Sequence, residues 1–352
     1  MVMPVYNAED YVWLAVTSIL DQSFADFDLI VVDDGSTDST AAIVKHFDDA
    51  RVHYAQTIGR TGAGGARNVG LGLARGTYVA FLDADDLAYE HRLATQLAYM
   101  DSHPKTALLG AGYDVIDSGG TILATLTKPS GAASVRLKML FDNTIATSLA
   151  FARRNVLLEV GPFDESSAVQ DYDLWARIAS RHPIARLPEV LGAYRDHAAS
   201  TYGAAGAETT DLVRARIVRR VLALSLGVEI SLGTAMILGD ASRSTDYALD
   251  DAVAALALLE LLPLGAPWTW ADSREERRAS TCVWVEKLVT VVTREPRLHR
   301  EAVRAALRVF VKGPARDVWD VGIVRSAIRV ALAPGGRQRL RRARRVFAGN
   351  AP

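Results

Sequence analysis

The sequence predicts an α/β fold for residues 1–205 and an all-α region for residues 206–352. Three observations carry this. Short apolar, β-prone runs alternate with segments of helical spacing, as in a mainly parallel sheet wrapped by helices. Two of the runs close on clustered aspartates, which puts carboxylates at the carboxyl edge of the sheet, where open α/β folds bind ligands. Beyond about Asp211 the strand signals fade and amphipathic helical patterning takes over.

Met1 to Val5 reads as a short buried strand, stopped by Pro4 and Asn7. Glu9 to Gln22 has helical spacing at Tyr11, Leu14, Ala15 and Ile19. Asp28 to Val32 is a second strand, ending in Asp33-Asp34-Gly35-Ser36, and Thr37 or Asp38 can cap a helix over Ser39 to Phe47. Val52 to Ala55 is a third strand, followed by a glycine-rich loop from Gly59 to Gly65 and a helix from Ala66 to Ala74. Tyr78 to Leu82, between Gly76 and Asp83, reads as a strand buried on both faces. A helix over Glu90 to Ser102 precedes a strand near Ala107 to Tyr113. Asp117 to Gly120 reads as a hairpin turn between Gly112–Ile116 and Thr121–Leu126. Val135 to Phe141 is helical, Ser148 to Ala152 a strand and Arg154 to Val160 a short helix. A helix begins at Asp171, and Ile184–Leu187 and Leu191–Tyr194 are two short strands. A domain boundary falls near Gly203 to Glu208, and helical patterns then recur at Leu212–Leu226, Asp250–Leu262, Arg274–Thr293, Arg300–Val311 and Asp320–Leu332.

Chemistry concentrates in Thr77 to Leu87, where Asp83, Asp85 and Asp86 follow the buried run. If the extended conformation persists, alternation puts Asp83 and Asp85 on one side. Two such carboxylates repel unless a cation joins them, and hard oxygen ligands suit Mg²⁺ or Mn²⁺, whose shell a substrate diphosphate can complete. A solvated acidic turn is the plain alternative. Asp33 and Asp34 can accept from a base N–H or a ribose hydroxyl, or serve as a cap and turn. The glycine-rich loop resembles a phosphate cradle but is not a P-loop, since no Gly-Lys-Ser/Thr follows. Arg67 can reach a phosphate or form an ion pair with Asp83 or Asp85. Asp171, near a helix start, either complements the helix dipole or, if it faces the same pocket, takes a proton from an acceptor hydroxyl. His197 lies in a loop after the last strand. It is a metal ligand only if that loop returns to Asp85.

The net charge of −1 gives no reason to expect a nucleic-acid partner. The balance is uneven, with a formal +11 on residues 294–352 and −12 on the rest. One cysteine, Cys282, rules out an intrachain disulfide framework and fits a reducing, cytoplasmic compartment. No apolar run reaches the roughly 18 residues of a membrane-spanning helix, and no secretory signal is visible at the amino terminus. The basic end from Arg337 to Phe347 can hold the chain against anionic lipid as a peripheral contact, or be a solvated helix.

PVYNAEDYV, ILDQSF, LIVVDDGSTDST, GAGGARNVGL, GTYVAFLDADDL, GPFDES, QDYDLWARI and LPEVLGAYRDH occur in that order over roughly residues 1–200. This series resembles glycosyltransferase family 2, which has the GT-A fold, a Rossmann-like mixed sheet flanked by helices. The resemblance implies an inverting transfer of a sugar from a nucleotide donor, usually a UDP-sugar, with Mg²⁺ or Mn²⁺. The acceptor would be a glycan or a lipid-linked species in envelope or polysaccharide synthesis, and a homo-oligomer is compatible with it. Carried over by position, it implies that Pro4, Val5, Tyr6 and Glu9 line the nucleoside pocket, that Asp34 contacts uracil and that Arg67 lies by the base and diphosphate. Asp83 and Asp85 match the DxD pair, Asp83 on ribose or metal and Asp85 on metal and phosphates, with Ala84 and Asp86 shaping the donor site. Asp171 matches the catalytic base, and His197 a histidine that in some relatives reaches the metal or diphosphate. One departure is Gln170, where the family usually has Glu before the base. Two other functions compete. A sugar nucleotidyltransferase would normally carry an early glycine-rich, basic loop, and PVYNAED stands there instead. A catalytically silent nucleotide-sugar-binding scaffold draws support from Gln170 alone.

Overall fold

The computed structural model describes residues 1–127, 132–196, 207–239 and 249–261, together with seven positions between Ser280 and Val291. The chain forms two compact units, one of residues 1–130 and 143–206 and one of residues 131–142 and 207–352.

The first unit opens with β1 (Val2–Val5), α1 (Val12–Leu20), β2 (Leu29–Asp33), α2 (Thr40–Lys45), β3 (Val52–Gln56) and α3 (Gly62–Leu73). The strands form a parallel sheet in the order β1-β2-β3. β2 is buried at every position, which is why its apolar run does not alternate. One face packs on α1 through Met3, Val5, Val31, Val12, Val16 and Ile19, each such side chain contributing about 1.5–3 kcal/mol when fully buried. On the other face α3 lies close against β1 because Gly70 has no side chain. A Cβ there would collide with Val2 Cγ1.

The second sheet takes β4 (Tyr78–Ala80), β5 (Leu87–Ala88), β6 (Leu108–Ile116), β7 (Ile122–Leu126), β8 (Phe151–Arg153) and β9 (Ile184–Arg195). Its order is β4-β8-β6-β9-β5, with β7 paired to β6. β6 and β9 run parallel and the other pairs antiparallel, so the sheet is mixed. A parallel bridge between Val2 and Phe81 joins it to β1, with Leu82 N donating to Val2 O at 3.2 Å. The helices α4 (Arg92–Ser102), α6 (Arg154–Val160) and α7 (Gln170–Arg181) belong to this unit. Phe81, Phe163 and Trp175 meet edge-on or tilted beneath it, with centroids 5.5–5.8 Å apart.

Three expectations need correction, and one strand has no counterpart among them. The glycine run is mostly the first turns of α3, which starts at Gly62 rather than Ala66. Gly64 and Gly65 are there because Gln170 and Thr61 occupy the space where their side chains would go. The two short strands around Pro188 are one strand, β9, whose register against β6 shifts between Gly110 and Gly112. Gly112 leaves room for the Pro188 and Glu189 carbonyls, so the proline sits at an irregularity that needs no donor there. β5, directly after the acidic cluster, had no apolar run long enough to mark it. Ser148 lies in a 3-10 turn, Thr147–Leu149, ahead of β8.

The second unit contains α5 (Ala132–Met139), α8 (Ala207–Leu226), α9 (Leu232–Leu238) and α10 (Leu249–Leu261). Ser231 caps α9 by accepting from Thr234 N at 3.0 Å. Trp284 is buried and donates through Nε1 to Leu259 O at 2.5 Å, a core role. Among the described residues no helix is long and apolar enough to cross a membrane. The predicted helices at 300–311 and 320–332, the basic end at 337–347 and His197 all lie outside the described residues.

Candidate active site

The carboxyl edge of the first unit gathers most of the residues singled out in the sequence. β2 delivers Asp33 and Asp34. Burial pushes the Asp33 carboxyl up, but donors from Tyr54 Oη (2.7 Å) and Ser36 N (2.8 Å) outweigh it and hold the group below the usual carboxylate range. Asp34 is saturated. Oδ1 accepts from Thr57 Oγ1 (2.9 Å), Thr61 N (2.7 Å) and Thr61 Oγ1 (2.9 Å), and Oδ2 accepts from Gly62 N (2.7 Å). In this structure the carboxylate therefore anchors the 57–62 loop and the start of α3. Pro4 and Val5 are enclosed within β1, while Tyr6 and Glu9 are exposed. Glu9 accepts from Ser39 N at 2.9 Å. Asn7, at φ +46°, accepts from Thr37 N at 2.8 Å, lacing the loop after β1 to the loop after β2.

Asp83 to Asp86 do not continue the strand. Asp86 N donates to Asp83 O at 3.1 Å, closing a turn over Ala84 and Asp85, so the alternation argument for a shared side does not apply. Ala84 is buried in that turn. Arg67 is 5% exposed and pairs with Asp83, which is 29% exposed, so the ion pair that the sequence left as an alternative is present. Asp86 is enclosed and accepts from Ser148 Oγ and from Arg195 N at 2.7 Å. Burial raises its carboxyl well above the ordinary range, and the charges of Asp85 and Asp83 raise it further. Beneath the turn Arg92 is fully buried, its guanidinium pushed down to about 9 by desolvation, and it donates to Phe81 O at 2.8 Å. Arg195, also buried, braces the turn. Its Nε donates to Asp85 O (2.8 Å), its Nη1 to Asp117 O (2.9 Å) and Ser118 O (3.0 Å), and its guanidinium lies 4.8 Å from the Tyr11 ring.

Asp171 lies in the first turn of α7, half-buried. Its Oδ2 accepts from Asn143 Nδ2 (2.8 Å) and Thr147 Oγ1 (3.0 Å), and Oδ1 from Tyr172 N (2.7 Å). Thr147 and Ser148 are consecutive. One holds Asp171 and the other holds the acidic turn, donating to Asp86 and accepting from Asp83 N at 3.0 Å. The 3-10 turn thus links the two groups of carboxylates. Ser148→Ala removes the donor to a buried carboxyl and is expected to lower stability by about 1–3 kcal/mol, seen as an earlier urea midpoint at unchanged slope.

Gln170 has a local reason. Its Oε1 is buried against Gly64 and has no hydrogen-bond partner among the described residues. A glutamate in the same place would enclose a charge without a donor, which costs far more than a neutral amide.

The donor set at the turn is chemically suited to a divalent cation: Asp83 and Asp85 are hard oxygen ligands at a partly open edge. Among the described residues no group of three or more His, Cys, Asp or Glu side chains converges, so the remaining ligands would come from a substrate. Sequence reasoning gave no role to Asn143, Thr147, Ser148 or Arg195. Arg195 stands inside a quoted motif, but the three hydroxyl and amide residues carry no local pattern and gain meaning only through the fold.

The description "Glycosyl transferase family 2" matches residues 1–161. An uncharacterized glycosyltransferase of Methanocaldococcus jannaschii, MJ1057, is 31% identical over 201 residues, 55% of this chain and 69% of that protein. The chain belongs to glycosyltransferase family 2. The UDP-Glc:alpha-D-GlcNAc-diphosphoundecaprenol beta-1,3-glucosyltransferase WfgD of Escherichia coli is 34% identical over 122 residues, 35% of this chain and 48% of the relative. Across curated relatives the chain spans between 28% and 78% of their length, about half in several cases. The crystal structure of S. aureus TarS 1-349 in complex with UDP-GlcNAc superposes with a TM-score of 0.54 at 18% identity, covering 94% of this chain and 89% of that one. The likeness establishes a GT-A type fold for this member of the family.

Proposed function

We propose that the chain is an inverting transferase that moves a sugar from a nucleotide-sugar, most simply a UDP-sugar, to a hydroxyl on a lipid-linked or glycan acceptor in cell-envelope synthesis. The observation that carries this is the pair of consecutive hydroxyls, Thr147 and Ser148, holding a half-buried aspartate beside a turn of three carboxylates. In this reading Asp171 accepts the acceptor's hydroxyl proton. That oxygen then attacks the anomeric carbon from the face opposite the nucleotide, and the bond from that carbon to the diphosphate oxygen breaks. Asn143 and Thr147 keep the carboxylate aimed during the transfer. Asp83 and Asp85 would hold Mg²⁺ or Mn²⁺, which supplies charge stabilisation for the departing diphosphate. Arg67, already among these carboxylates, adds a fixed cation at the same edge. The relative named for a UDP-Glc donor and an undecaprenyl diphosphate acceptor supports this choice of donor and acceptor classes.

Incubation of the purified chain with UDP-, GDP- and dTDP-sugars, Mn²⁺ and an undecaprenyl-diphosphate sugar tests the reading. Release of nucleotide with product formation is expected from a UDP-sugar. Activity confined to a GDP- or dTDP-sugar would overturn the UDP assignment, and no turnover of any donor would overturn the transferase reading.

A further inference from the structure

We propose that Arg60 and Tyr6 are the two faces of a slot that grips the donor's nucleobase, with Arg60 presented from the exposed tip of the 57–62 loop. The inference rests on the nucleotide-sugar reading and adds to it a residue, Arg60, that neither the motifs nor the resemblance assigned. The Arg60 guanidinium lies 3.8 Å from the centroid of the Tyr6 ring, and Tyr6 is 37% exposed. Among the described residues that guanidinium has no hydrogen-bond or ion-pair partner, so the ring face is what positions it. Tyr6 itself is fixed, since it follows buried β1 directly and precedes the Asn7 contacts to the next loop. On the other face, the backbone beside Arg60 is held, with Gly59 O accepting from Thr57 Oγ1 at 2.6 Å, and the Arg60 side chain is exposed. Ile58 at the tip is completely exposed at 101%, and nothing packs on it. Gly59 and Gly62, both at φ +76°, bracket Arg60 and Thr61 in a conformation that only glycine adopts readily. Asp34 anchors the loop from below through Thr57, Thr61 and Gly62, so the backbone that presents the Arg60 side chain is fixed on both sides.

A planar cation stacked on a phenol is matched to a flat heteroaromatic ring. A base entering between them exchanges one exposed cation–π contact for two stacked faces, one on tyrosine and one on guanidinium. The ligand class is thus a nucleoside diphosphate held by its base, and the slot discriminates against a bare diphosphate.

Calorimetric titration of the full chain with UDP and, separately, with pyrophosphate, each with Mn²⁺, decides the matter. Arg60→Ala is expected to weaken UDP about tenfold, by roughly 1.4 kcal/mol, with pyrophosphate affinity unchanged. Arg60→Lys should stay weakened, because it restores the charge without the plane. Tighter or equal UDP binding by Arg60→Ala, or full rescue by lysine, overturns the slot while leaving the transferase reading intact. Wild-type protein that binds no nucleoside diphosphate overturns the donor reading itself and the slot with it. Arg60 is exposed, so the variants are expected to keep the wild-type circular dichroism spectrum.

Discussion

Asp171→Asn is expected to lower sugar transfer about 10²–10⁴-fold while nucleotide affinity stays near the wild-type value. The amide keeps the side chain's size and one accepting oxygen for Asn143 or Thr147, so the start of α7 should survive. What it lacks is a site for the acceptor's proton. The competing role, complementing the helix dipole, is worth about 0.3–1 kcal/mol of stability and nothing in turnover. The two roles therefore separate cleanly when product formation and UDP affinity are measured on the same preparation. Full turnover in the asparagine variant would remove Asp171 from the chemistry and leave it as a helix-end charge.

The second large effect is expected at Asp85. Asp85→Ala should reduce nucleotide release at least about 100-fold, the scale on which removing one electrostatic stabiliser of a developing charge acts. Chelation of the wild type should bring it to a similar level, and chelation should do little more to the variant. Asp85 is the position that the proposed account puts on both the cation and the diphosphate. An Asp85→Ala enzyme with wild-type turnover, or a wild type indifferent to chelator, would defeat the divalent-cation account.

Much of the fold was legible because burial leaves a record in the residue pattern. Leu29–Val32 and Tyr78–Leu82 are apolar without interruption, and in the structure all but Leu82 are strand or bridge positions. The hairpin through Asp117 was readable for the same kind of reason, since Asp117 accepts from Gly119 N and Thr121 N as turn chemistry predicts. The glycine run misled because glycine marks loops on average. Here it marks a helix pressed against Gln170, Thr61 and Val2, a close approach that only the tertiary structure reveals. β9 was split at Pro188 because a proline usually ends a strand, and the compensating Gly112 lies some 76 positions earlier in the chain.

The carboxylates of the candidate site were visible as a cluster, but their arrangement was not. Alternation presumes an extended backbone, and one hydrogen bond from Asp86 N to Asp83 O is enough to break it. The sequence allows Arg67 a phosphate or an ion pair, and the structure shows the pair with Asp83. Asn143, Thr147 and Ser148 illustrate a general reason for the gap. Short polar side chains are common everywhere, and what distinguishes these three is which acid each one meets.

Thr147 and Ser148 are adjacent residues that hold different partners, so in the proposed reaction their spacing would act as a fixed gauge between proton removal and leaving-group support. A residue inserted between them would leave each hydroxyl chemically intact and still put the two halves of the proposed reaction out of step. Tolerance at this turn is thus a matter of chain length before side-chain identity, and loop grafting between transferases would have to keep that interval even where every other residue is exchanged.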